Sequence, residues 1–145
     1  MPVTSSVVVA LPTADRRRSF DFYRHGLGLE PVGEPADDGV PEPLQFVLNE
    51  GLRLMLVPTG GFGWVIGGRA VHEGGGECLL SLSAATEAGV DELVGAAQRA
   101  GAAVVTAPAA QAWGYAAVFA DPDGHLWMVT AESATDTDPG AGRTG

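Results

Sequence analysis

The feature that most constrains this chain is an order of apolar and turn-forming segments that occurs twice, about 70 residues apart. In the first half, residues 3–11 are Val-rich and close at Pro12-Thr13, the pattern of a strand meeting a breaker. A helix is predicted next. Thr13 or Asp15 caps it, Phe20, Tyr23 and Leu27 recur at helical spacing with Phe22 beside them, and Gly26 and Gly28 end it. Three strands follow, a short one at 29–32 and longer ones at 44–48 and 52–57, the last two joined by Asn49-Glu50-Gly51. In the second half a strand at 78–83 precedes a helix capped by Thr86, with Val90, Leu93, Val94 and Ala97 on one face and Gly101 at its end. Strands at 103–106, 115–120 and 125–131 complete the series.

One βαβββ unit used twice implies an α+β fold. Each unit alone leaves one face of a small sheet uncovered, so two of them, at about 5–58 and 77–132, are predicted to form curled mixed sheets around a cavity. At 145 residues there is room for one such domain, 1–132, and the segment 133–145, without bulky apolar residues, reads as a flexible tail. Between the halves, 59–76 reads as a glycine-rich loop, although it contains Phe62, Trp64, Val65, Ile66 and Val71, which need burial. Residues 30–42, with Glu30, Glu34, Asp37, Asp38 and Glu42 among prolines, begin as an exposed acidic loop.

Composition removes whole classes of function. All eight basic residues are Arg, against 18 acidic ones, for a net charge of −10. Without lysine there is no Schiff-base or Walker lysine, and the acidity argues against nucleic acid, whose binding rests on a basic surface. No apolar run approaches the roughly 20 residues of a membrane helix, so no membrane partner is predicted. The single cysteine, Cys78, excludes an intrachain disulfide and a multi-cysteine zinc site. It fits a reducing cytoplasm, and residues 1–6 lack the features of a secretory signal.

Two stretches carry a family likeness. Val9-Ala10-Leu11-Pro12-Thr13-Ala14-Asp15 with Ser19-Phe20-Asp21-Phe22-Tyr23 and Leu27-Gly28-Leu29 resembles the opening of the vicinal oxygen chelate superfamily of glyoxalases, bleomycin-resistance proteins and extradiol dioxygenases. Ala100-Gly101-Ala102, Trp113-Gly114-Tyr115 and the run from Phe119 through Asp121-Pro122-Asp123-Gly124-His125 to Trp127 resemble the second half of its uncharacterised bacterial members. The likeness spans roughly residues 6–132. It implies the glyoxalase/bleomycin-resistance fold, a homodimer, and in many members a divalent metal held by His, Gln or Glu on four strands. Here the corresponding places fall at Val8, Met55, Leu79 and Met128. Such side chains supply no imidazole or oxygen ligands, so neither a metal site nor another cofactor is predicted. Methionine sulfur suits Cu(I), but two cavity methionines read better as adaptable packing.

The remaining candidates divide between chemistry and packing. His125, beside the Asp121–Gly124 turn, reads as structural, and His25 as a partner of a helix C-terminus. His72 with Glu73 offers an acid–base pair in the loop, though solvated residues are the simpler reading. Cys78 has no basic neighbour in sequence to activate it. Ser81 and Ser83 share a strand face with Leu79, while Trp64, Trp113 and Tyr115 supply flat surfaces for a cavity mouth. The predicted cavity set is thus Val8, Met55, Trp64, Leu79, Ser81, Trp113, Tyr115 and Met128. It favours a metal-free small-molecule-binding protein, with an aromatic or cationic ligand and sequestration of a drug or toxic metabolite as its use. The alternative is a lyase, isomerase or dioxygenase using other ligands or no metal.

Overall fold

Asp15 opens the first helix as its sequence position demands. Its carboxylate accepts from the backbone N–H of Arg18 at 3.1 Å, satisfying one of the amides a helix start leaves without a partner. The computed structural model describes residues 5–71 and 76–132 and divides the chain into two compact units. His72, Glu73 and the tail from 133 lie outside the described residues.

The first unit comprises residues up to 75 together with Pro122–Gly124. It contains β1 (Val7–Thr13), α1 (Arg16–Asp21) continued by a π-helical turn (Phe22–Gly26), β2 (Glu30–Pro31), β3 (Leu44–Asn49), β4 (Leu52–Pro58) and α2 (Thr59–Val65). The sheet runs β1-β4-β3-β2, with β1 and β4 parallel and the other pairs antiparallel. Alternation along the strands sends Leu44, Phe46, Leu54 and Leu56 to one face, where they are buried with Phe22 and Tyr23. Tyr23 and Phe46 lie with ring centroids 5.7 Å apart, and the Phe22 ring meets Tyr23 edge-on at 4.9 Å. The acidic segment is anchored by Arg16, whose guanidinium donates to Asp38 at 2.8 Å and to the Val40 and Pro41 carbonyls. Val40 is fully buried, so only part of this segment is the exposed loop predicted.

The second unit holds β5 (Leu79–Ala84), α3 (Glu87–Arg99), β6 (Ala103–Gln111), β7 (Gly114–Ala120) and β8 (Leu126–Ala131). Its sheet runs β5-β8-β7-β6, again with the first and last strands parallel. Thr86 caps α3 by accepting from the Gly89 N–H at 2.9 Å, and Val90, Val94 and Ala97 are buried, as are Phe119, Trp127 and Val129 of the sheet. Gly101 ends the turn with φ 117°, a conformation that favours glycine.

Two elements differ from the sequence prediction. The glycine-rich loop begins with α2, a helix over Thr59–Val65. Three glycines in seven residues argue against a helix on propensity, but packing of α2 on β1 and β4 overrides it. β6 runs on to Gln111 through Pro108. As an edge strand it tolerates the missing N–H there, and its register shifts between Thr106 and Ala109. Cys78 precedes β5 and is exposed.

Candidate functional site

The alternation that buries Leu54 and Leu56 turns Arg53, Met55 and Val57 to the other face of β4. The parallel register sets Val8 beside Arg53, Ala10 beside Met55 and Pro12 beside Val57, and on the other flank β3 brings Gln45 beside Met55 and Val47 beside Arg53. α2 begins where β4 ends; the Thr59 hydroxyl donates to the Thr13 carbonyl at 3.2 Å. Phe62, Val65 and Ile66, at helical spacing, then form a wall. The result is a cavity of about 330 Å³ lined by Ala10, Met55, Val57, Phe62, Val65 and Ile66, with Leu56, Pro58, Pro43 and Glu42 completing it.

The lining is almost wholly apolar. Glu42 is its one charged residue, and its carboxylate lies 3.6 Å from the Arg16 Nε. The volume is at the lower end of the range for small-molecule sites, about 300–1,000 Å³.

Of the sequence-predicted set, Met55 lines this cavity. Val8 lies on the same sheet face, one alternation from Ala10, and is 41% exposed. Trp64 stands on α2 but is 83% exposed and outside the lining. In the second unit Ser81 pairs with Met128 and Leu79 with Leu126, so Leu79, Ser81 and Met128 share one sheet face. Trp113 sits in the turn between β6 and β7 and is exposed.

Tyr115 lies on the opposite face from Ser81 and Met128. Its hydroxyl donates to Asp91 of α3 at 2.7 Å, and that bond pushes the phenol above its ordinary pKa. It borders a separate open groove with Asp91, Val94 and Gln98. His125 is buried at the turn, its N–H donating to the Asp121 carboxylate at 2.8 Å.

The donor chemistry at the four family positions does not fit a divalent metal. In the first sheet, Val8 and Met55 have Ala10, Gln45, Val47 and Arg53 as same-face neighbours; in the second, Leu79 and Met128 have Ser81, Val118 and Leu126. Neither set contains an imidazole or a carboxylate.

Sequence reasoning missed Phe62, Val65 and Ile66 as one wall of the cavity, together with Ala10 and Val57. The spacing of 62, 65 and 66 and the parity of 53, 55 and 57 were the available signals.

A fold of two βαβββ units, each with a mixed four-stranded sheet, defines a class of α+β proteins built by duplication of a module. Residues 6–129 match the family model of the Glyoxalase/Bleomycin resistance protein/Dioxygenase superfamily, and the chain belongs to that superfamily. Among solved structures it is similar to hypothetical protein SA1046 from S. aureus, at 25% identity and TM-score 0.77, covering 91% of this chain and 96% of that one. It is likewise similar to a glyoxalase-related enzyme from Fulvimarina pelagi, at 26% identity and TM-score 0.77, covering 90% and 89%. TnmS3, an antibiotic binding protein from Streptomyces sp. CB03234, shares the fold at 24% identity and TM-score 0.63, covering 92% and 99%. No curated protein matches the chain in sequence.

Proposed function

We propose that this chain binds an apolar small molecule, without a divalent metal, in the cavity between the β1–β4 face and α2. The observation that carries this reading is the lining: Ala10, Met55, Val57, Phe62, Val65 and Ile66 border a partly open space of ligand size whose walls offer dispersion and hydrophobic contact and almost no polar chemistry. Met55 suits such a site because its unbranched thioether adapts to the shape of a guest. TnmS3, a protein of this fold, is an antibiotic binding protein, which supports sequestration of a drug or toxic metabolite as the use. The same reading takes the protein to be a cytoplasmic homodimer.

A screen of apolar and aromatic compounds, read by tryptophan fluorescence and melting temperature with and without divalent ions, tests it. Trp64, on the helix that walls the cavity, supplies the optical signal. Binding that is indifferent to chelator, and lost in Met55→Trp, which fills the space, is the expected result. One tightly held divalent ion per chain, required for binding, overturns the metal-free reading.

A further inference from the structure

Arg53 is the unusual cation of this molecule. Among the described arginines, Arg16, Arg17 and Arg18 donate to acceptors of the protein, and Arg24, Arg69 and Arg99 are exposed. Arg53 is half-buried and has no hydrogen bond or ion pair among the described residues, in a chain with 18 acidic side chains to choose from. Its guanidinium still reaches solvent, so Arg53 is an accessible cation with no use inside the first unit.

Its surroundings supply one. Arg53 lies two residues before Met55 on the same strand and the same face, a separation of about 6.5 Å, within the reach of an arginine side chain. Gln45, beside Met55 on that face, holds its side-chain Oε1 buried without a hydrogen-bond partner. Rotation of the carboxamide by a half-turn presents its NH₂ in that place instead. Arg53 and Gln45 are outside the lining of the cavity, but both neighbour Met55, which is part of it, on the same sheet face. Glu42, the carboxylate of the lining, already faces Arg16.

We propose that the ligand is an apolar molecule carrying an anionic group, with its hydrophobic body against Met55, Phe62 and Ile66 and its carboxylate, sulfonate or phosphate on Arg53 and Gln45. This rests on the cavity being the binding site, and it replaces the cationic ligand that the chain's acidity first suggested. Guanidinium recognises each of these oxyanions through paired N–H donors, so the charge, not the particular acid, is what the site selects.

Two fluorescent probes that differ in charge test it: 8-anilinonaphthalene-1-sulfonate and the uncharged N-phenyl-1-naphthylamine. The sulfonate is expected to bind the wild-type protein more tightly, and Arg53→Gln to weaken it about tenfold or more while leaving the neutral probe unchanged. Arg53→Lys, which keeps the charge but not the fork, should fall between. Equal affinities in the wild type, or a sulfonate affinity unaltered by Arg53→Gln, overturns the anion site and leaves the apolar cavity standing. Binding of neither probe, or binding of both that survives Met55→Trp in a protein whose circular dichroism is unchanged, overturns the cavity reading as well.

Discussion

Asp123 shows what one side chain accomplishes in this fold. Its carboxylate accepts from the Thr13 hydroxyl at 2.7 Å, the Ser19 hydroxyl at 3.1 Å, the Ala14 N–H at 3.0 Å and the Arg18 guanidinium at 2.9 Å. Thr13 and Ser19 are themselves buried and 2.6 Å apart. Burial pushes the Asp123 carboxyl up, but the Ala14, Thr13 and Ser19 hydrogen bonds and the Arg18 charge outweigh it, and the pKa lies below the ordinary 3.8. Asp123→Ala strands these donors and is expected to cost about 2–4 kcal/mol, measured by denaturant unfolding. Because the folded pKa is depressed, the contribution of the carboxylate is fully present above the unfolded value of 3.8 and is lost as pH falls through the folded one. The stability gap between wild type and Asp123→Asn should therefore be constant near neutrality and shrink below about pH 4. Sequence identified Asp121-Pro122-Asp123-Gly124 as a turn from its composition, but nothing local tells that Asp123 answers a helix start more than a hundred residues earlier. Met55, by contrast, was singled out through the family likeness, and strand alternation puts it on the face of β4 that borders the cavity.

At the scale of elements, local pattern succeeded where apolar spacing and caps agree and failed where tertiary contact overrides propensity. α3 is the first case: Thr86, Val90, Val94 and Ala97 each do what their spacing implies. α2 is the second. Its glycines weaken the helix, and its packing on β1 and β4 offsets that weakness. Gly60 has ordinary helical backbone, and a Cβ there meets nothing within 4 Å. Gly60→Ala is accordingly expected to stabilise the protein by about 0.4–1 kcal/mol, seen as a raised melting temperature. β6 runs five residues past the predicted end at 106, and Pro108 within it is tolerated because β6 is the edge strand of its sheet.

At the scale of the molecule, the duplication seen in the order of segments reappears as two sheets with the same strand order, first-last-third-second. That much of the fold was legible because each half carries its own strand, cap and turn signals. The cavity was less so: the family likeness singled out Val8 and Met55, but the wall facing Met55 depended on α2, a helix that propensity argues against. Family likeness carries the expectation of a homodimer, and light scattering at micromolar concentration should give twice the mass of the chain; a monomer refutes it. Association through a charge of −10 per chain should tighten with added salt, which screens the repulsion. The Asp123 cluster also bears on how the protein is made. The first unit includes Pro122–Gly124, so on the ribosome the hydroxyls of Thr13 and Ser19 wait for their acceptor until most of the chain has been synthesised. A fragment cut at residue 75 holds all four strands of the first sheet and still lacks the carboxylate that its first helix is built around.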